Sequence, residues 1–223
     1  MGTISFSIPR PLVSALITGL KISNFIETGT YKGGTSIWAA DHFEHVYTIE
    51  ISPELSKYAS DHAGGKSNIE FIIGDSRTEL PKIVDKLTGV SLFWLDGHWC
   101  MNAGGKDDEC PLIAELEAIS KLQESIILID DARCFLGPLP TPHNSEDWPR
   151  IDEIFGFIKE RFPDHTTTII DDVIVSVPPA AKQPLEKYWQ QTFVTRFYDP
   201  AYILKNYSLY QMLKSSFKNL IKQ

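Results

Sequence analysis

The sequence predicts a doubly wound α/β domain: a mostly parallel, seven-stranded sheet with helices on both faces, closed by a C-terminal antiparallel hairpin. Three observations carry this expectation. Short apolar runs alternate with helix-length amphipathic segments along most of the chain. Two of those runs, Ser91 to Asp96 and Ile126 to Asp131, stay apolar until they end in acid, as strands buried on both faces do. Finally, Thr166 to Ile170 and Val173 to Val177 flank Asp171-Asp172, the pattern of a hairpin. With 223 residues, 43% of them hydrophobic and 22% charged, the chain suits one domain with a full core better than two small ones.

The elements follow in order. Residues 1–23 read as a helical lead-in. Asn24 to Thr28 is the first strand and stops at Gly29, after which Thr35 to Phe43 is a helix opened by Thr and Ser. Val46 to Ile51 is the second strand. Ser52-Pro53-Glu54 starts the next helix with an N-cap serine and a proline in the first helical position, and Gly64-Gly65 stops it after about His62. Ile69 to Ile73 is strand three, and Ser76 to Leu87 a helix that Pro81 kinks or restarts. The fourth strand ends at Asp96, helix Pro111 to Leu122 follows, and the fifth strand ends at Asp130-Asp131. Arg150 to Phe162 carries Ile151, Ile154, Phe155 and Ile158 on one helical stripe before the closing hairpin.

The domain is expected to span 1–194. From 195 to 223 the composition changes: Arg196, Lys205, Lys214, Lys218 and Lys222 face the single acid Asp199, and Tyr210, Leu213, Phe217 and Leu220 fall at helical spacing. This reads as a basic amphipathic C-terminal helix docked on the domain, with a homodimer contact or an anionic-membrane foot as alternatives.

Bulk properties exclude several classes. A formal net charge of −8 argues against nucleic acid as a partner, because phosphate binding needs clustered Lys and Arg. No apolar stretch approaches the roughly 20 residues of a transmembrane segment, and Met1 to Phe6 shows no export signal. Cys100, Cys110 and Cys134 make no disulfide framework, which fits a cytoplasmic location. They also lack the close pairs of a structural zinc site, so they read as half-buried thiols near His98.

If the fourth and fifth strands are parallel neighbours, their carboxyl ends open into one crevice and bring Asp96, Asp130 and Asp131 together. Crowded carboxylates repel one another unless one is protonated or a cation sits between them, and an all-oxygen set suits Mg²⁺, Mn²⁺ or Ca²⁺. Helix capping and cofactor contact are the competing roles for these acids. The first strand leads into Glu27-Thr28-Gly29-Thr30-Tyr31-Lys32-Gly33-Gly34-Thr35-Ser36, a turn that lets backbone approach a ligand and opens a helix. Tyr31 stands where a dinucleotide fingerprint needs glycine, and no phosphate-loop Lys-Ser/Thr ending is present, which demotes NAD and nucleoside triphosphates. Glu50, 23 residues after Glu27 at the tip of strand two, is placed to accept the hydroxyls of a ribose.

On these residues the chain resembles the class I S-adenosylmethionine-dependent methyltransferases, and most closely their metal-dependent O-methyltransferase branch. The Glu27 to Ser36 turn looks like the E-x-G-x-Y-x-G-x-S turn of catechol and caffeoyl-CoA O-methyltransferases, and Thr48 to Pro53 is similar to their ribose-binding strand. Gly74-Asp75-Ser76 resembles their adenine segment, Leu95-Asp96-Gly97-His98-Trp99 their L-D-H-W, and Ile129-Asp130-Asp131 the strand end carrying their second and third metal ligands. Macrocin-type and novobiocin-type sugar O-methyltransferases carry the same aspartate trio.

The resemblance, over roughly residues 20 to 180, implies a Rossmann-like methyltransferase fold and S-adenosylmethionine as cofactor. It implies cofactor contacts at Glu27, Gly29, Tyr31, Gly33, Thr35, Ser36, Glu50, Ile51, Asp75, Ser76, Asp96, His98 and Trp99, and a Mg²⁺, Mn²⁺ or Ca²⁺ ion on Asp96, Asp130 and Asp131. The reaction implied is divalent-metal-assisted methylation of a small-molecule hydroxyl with a vicinal oxygen, on a sugar or a phenolic diol; a metal-independent methyltransferase and a noncatalytic cofactor-binding or assembly module are the alternatives. Trp99 and Cys100 stand where the catechol enzymes place a catalytic lysine, so that role does not transfer. In the sugar enzymes the residue two after the first aspartate resembles a general base, and His98 holds that position, with a loop or adenine-packing histidine as the plain alternative. Asp75 and Ser76 have a plain alternative as caps of the following helix. Trp99 and residues 101–108 read as a glycine-bearing lid or equally as a passive surface loop, and Arg133 with the proline-rich 137–143 stretch as an acceptor-pocket wall in which Arg133 meets a carboxylate or phosphate.

Overall fold

A computed structural model describes residues 7–98 and 109–201 of the chain. The strands are β1 (Ile22–Thr28), β2 (His45–Glu50), β3 (Ile69–Ile73), β4 (Val90–Leu95), β5 (Ile126–Ile129), β6 (Thr166–Ile170) and β7 (Val173–Val177). Between them run α1 (Arg10–Ile17), α2 (Gly34–Ala39), α3 (Pro53–Asp61), α4 (Ser76–Val84), α5 (Leu112–Ile119), α6 (Ile151–Arg161) and α7 (Pro179–Tyr198). The seven strands form one sheet in the order β3-β2-β1-β4-β5-β7-β6. All neighbouring pairs are parallel except β5 with β7 and β7 with β6, so β7 alone runs against the rest.

The reason for this order is visible in burial. Leu92, Phe93, Trp94 and Leu95, and Ile126 to Ile129, are buried at every position, so both strands need cover on both faces and take the centre of the sheet. Helix starts follow local chemistry. Ser52 accepts the N–H of Leu55 with Pro53 next in line, and Asp75 accepts the N–H of Arg77. Two expectations are corrected. The first helix after the glycine turn ends at Ala39 instead of Phe43, because Asp41 and His42 donate to Trp38 and Ala39 in tighter turns. The helix from Ser76 runs through Pro81 to Val84 without restarting. By contacts the chain divides into Met1–Lys182 and Gln183–Gln223, and α7 passes through residue 195 without a break. The expected C-terminal stripe from Tyr210 to Lys222 lies outside the described residues, as do Trp99, Cys100 and the 101–108 stretch.

The chain winds from β1 outward to β3, then returns to place β4 on the other side of β1, so the loops after β1 and β4 part at their carboxyl ends. Gly29 stands at that parting. Its φ is +86°, and a Cβ there would lie 2.2 Å from the backbone oxygen of Asp96. Gly29→Ala is expected to cost more than about 3 kcal/mol, through backbone strain and collision together. Gly156, inside α6 with open space where a Cβ would go, is the contrast: Gly156→Ala should add roughly 0.5 to 1 kcal/mol. Urea denaturation of both variants checks the pair.

Candidate active site

The glycine turn is held from below and from the side. Beneath it Glu27, fully buried, accepts hydrogen bonds from the hydroxyls of Ser36 and of Thr48, the latter at 2.7 Å. Burial pushes its carboxyl up to about 7, although bonds from Ser36, Thr48 and Thr35 oppose that rise. To the side, Glu50 accepts the backbone N–H of Tyr31 at 2.8 Å on one oxygen and that of Ser52 at 2.9 Å on the other. A carboxylate offers about four acceptor positions, so two remain beyond these bonds. Tyr31 has a left-handed φ of 49°, and Gly33, at +78°, packs so close to Ala59 that a Cβ would sit 2.9 Å from its methyl. Tyr31, Lys32 and Gly34 are exposed above the turn, and Ile51 is exposed at its flank.

Across the parting, β4 and β5 end in register, Leu95 beside Ile129, with the N–H of Asp130 on the carbonyl of Leu95 at 3.1 Å. Asp96 and Asp130 therefore leave the sheet side by side. His98 Nε2 lies 3.0 Å from Asp131 Oδ2 and 3.9 Å from Asp96 Oδ1. Arg133 Nη1 lies 2.6 Å from Asp131 Oδ1 and pairs more closely still with Asp172. Burial raises the carboxyl of Asp130 to about 6, with the neighbouring Asp131 charge adding to the rise. Burial acts the same way on Asp131, but His98 and Arg133 outweigh it and hold that acid below the ordinary range. Asp96 is raised by burial and by the other acids. For His98, burial favours the neutral ring, yet Asp131 and Asp96 prevail and its pKa is raised.

Two members of the expected metal set, Asp130 and Asp131, are engaged within the chain. Among the described residues no three His, Cys, Asp or Glu side chains gather into a group able to hold an ion. The physical reason is local: Asp131 adopts a left-handed φ of 53°, and its two oxygens are engaged by His98 and Arg133, while one oxygen of Asp130 takes the N–H of Asp131 at 2.8 Å. The positive charge that Arg133 already sets on Asp131 opposes a hard dication beside it. Burial pushes the Cys110 thiol up to about 12 and raises Cys134, and Cys100 lies outside the described residues.

Other expected contacts land in distinct roles. Glu27 and Ser36 are bound to each other under the turn and support it from inside. Asp75 caps α4 and pairs with Arg77 at 2.6 Å, which lowers its carboxyl, and Ser76 is buried beside it. Gly97, the extra residue between Asp96 and His98, passes directly over Thr28 and Glu115: a Cβ would meet them at 3.1 and 3.3 Å. Glu115 of α5, fully buried with a carboxyl raised by that burial, was not anticipated from the sequence. Neither was Glu109, which accepts from Trp148 Nε1 at 2.7 Å and from the N–H of Asn144 at 2.9 Å, and bonds His143 Nδ1 at 2.9 Å. This fixes Trp148 with its ring edge-on to His98, 5.3 Å between centroids, and 5.7 Å from Phe135. The one sequence signal was an isolated Trp-Pro pair before a helix start.

No family model and no curated protein matches the sequence. Solved structures share the fold, and several of them are methyltransferases. A caffeoyl-CoA O-methyltransferase candidate from Staphylococcus aureus superposes with a TM-score of 0.56 at 18% identity, covering 79% of this chain and 86% of its own. An SAH-bound methyltransferase from Podospora anserina gives 0.53 at 17%, with 76% of each chain covered. An O-methyltransferase from Bacillus cereus in complex with SAH gives 0.52 at 19%, covering 78% of this chain and 82% of its own.

The Glu27 site makes a pH-dependent claim. Between its ordinary 4.5 and about 7 the folded state keeps a proton that the unfolded chain has released, so stability falls as pH rises through that window. The loss attributable to this group is about 3 kcal/mol once pH exceeds 7. Glu27→Gln should therefore flatten the decline in melting temperature of the cofactor-free protein between pH 5 and 8. An unchanged slope would count against the shift.

Proposed function

We propose that the protein transfers a methyl group from S-adenosylmethionine to a hydroxyl of a small molecule. The observation that carries this is the junction of Glu50 with the glycine turn: an acid at the tip of β2, tied to the N–H of Tyr31 and retaining acceptor capacity, beside a turn exposed at Tyr31, Lys32 and Gly34. That combination suits a ribose diol lying over a glycine bend at the switch point of the sheet. The fold shared with SAH-bound proteins supports the same reading. Asp96 and His98 follow β4 on the facing side of the crevice, with Trp99 next in sequence as a further proposed contact, while Gly29 and Gly33 give the backbone its close approach. Thr35, Ser36 and Glu27 brace the turn, and Ile51, Asp75 and Ser76 line the adenosine end in this proposal.

When bound, the cofactor supplies an electrophilic methyl on a sulfonium. The protein's part is to hold the attacking oxygen in line and take its proton. His98 is the proposed general base. Because a carboxylate only accepts, the ring nitrogen against Asp131, Nε2, carries the proton, and Nδ1 is the atom left to receive one. Asp131 thereby fixes the tautomer, and Trp148 with Phe135 backs the ring with apolar surface. The vicinal-oxygen preference expected for a sugar or phenolic diol rested on a shared metal ion, so the proposal keeps only a hydroxyl acceptor of small size.

Calorimetry with S-adenosylhomocysteine and NAD side by side tests the cofactor. Micromolar binding of the first alone is expected, and Glu50→Ala should weaken it at least 10-fold, as loss of charge-assisted hydrogen bonds does. Saturable NAD binding, or indifference to Glu50, would remove the basis of the proposal. With an acceptor in hand, His98→Gln should lower kcat by roughly 10² to 10⁴ with little change in cofactor affinity.

A further inference from the structure

In the acidic notch at the ends of β4 and β5, Asp131 is paired with a cation from within the chain, and the geometry shows how. Arg133 stands in the single-turn 3-10 helix Ala132–Phe135 that follows β5. Its Nη1 reaches Asp131 Oδ1 at 2.6 Å and forms a second, closer ion pair with Asp172 at the start of the β7 hairpin arm. Asp172 also holds this turn in place: its carbonyl accepts the N–H of Ala132 at 2.8 Å and its Oδ1 the N–H of Arg133 at 3.0 Å. The guanidinium is thus anchored to its own backbone turn by the same acid it neutralises.

That anchoring decides between two cations. A divalent ion entering between Asp96, Asp130 and Asp131 would be set against the guanidinium fixed on Asp131, and like charges at that range repel unless Arg133 withdraws. Asp172 is only 8% exposed at its side chain, and Arg133 is the cation paired with it. A buried carboxylate deprived of its partner is strongly unfavourable. Displacement by an ion therefore carries the cost of exposing or stranding Asp172, beyond the ordinary cost of stripping water from the ion. The second oxygen of Asp131 is meanwhile held by His98.

We propose that Arg133 is the resident cation of this notch: it takes the charge-balancing place of a divalent ion, and the protein binds no Mg²⁺ or Mn²⁺ there. The inference deepens the reading of the site as a methyltransferase centre, but its metal arm uses neither cofactor nor acceptor, so the two can fail separately.

The test is Mn²⁺ binding, followed by electron paramagnetic resonance on the full chain, for the wild type and Arg133→Met, a variant that removes the charge and keeps an unbranched stem. The wild type is expected to show no saturable Mn²⁺ site below 1 mM, on the order set by weak carboxylate sites. Arg133→Met, confirmed folded by circular dichroism, should acquire one site at least 10-fold tighter, and the double variant with Asp131→Asn should lose it. Saturable binding by the wild type that disappears in Asp131→Asn overturns the proposal, as does a folded Arg133→Met that gains nothing. If Arg133→Met does not fold, the wild-type titration decides alone, read together with S-adenosylhomocysteine affinity before and after EDTA: an unchanged affinity and no Mn²⁺ site support the proposal, and either a site or an affinity loss overturns it.

Discussion

The crevice depends on one close approach, that of the Gly29 backbone to the carbonyl of Asp96 where β1 and β4 end side by side. Strands in a parallel sheet sit close because ladder bonds hold them, but beyond the last bond the two chains separate to opposite faces. Gly29 donates to the carbonyl of Ile49 at 3.0 Å while Asp96 donates to the carbonyl of Thr28 at 3.1 Å. The residue between those bonds therefore has no room for a side chain. Everything that lines the site is referenced to this point: Glu50 through the turn, and Asp96, Gly97 and His98 through the strand leaving it.

A second level of organisation is the way buried acids serve as struts. Glu27 supports the glycine turn, Glu115 lies under Gly97, and Glu109 gathers Trp148, His143 and Asn144. Glu27 and Glu109 each place a carboxyl in a poor solvent, which is tolerable because hydroxyls, an indole N–H or a backbone N–H stand against it, whereas Glu115 keeps one buried oxygen, Oε1, without a partner. The consequence for chemistry is positional. A ring such as His98 that is walled by Trp148 and Phe135 and tethered by Asp131 has little freedom to rotate.

Much of the fold was legible in the sequence because burial on both faces leaves a continuous apolar trace, and β4 and β5 carry it without interruption. The glycine turn was legible for a similar reason, since positive φ and close approach demand glycine at Gly29 and Gly33. Side-chain direction at strand ends was not. Asp130 and Asp131 are neighbours in sequence, yet one is buried against its own backbone and the other turns to His98 and Arg133 through a left-handed φ that no periodicity announces. Glu109 with Trp148, and Arg133 with Asp172, each join positions 39 residues apart. Such pairings follow from how the loops cross the sheet edge, which local pattern does not encode.

The bond between Arg133 and Asp172 also constrains how related chains can diverge. One member sits after a central strand and the other on the hairpin that closes the sheet, so a change at either alone leaves an opposite charge without its counterpart. Lineages should keep both or exchange both, and the hairpin, otherwise a peripheral feature, inherits the conservatism of the strand ends it braces.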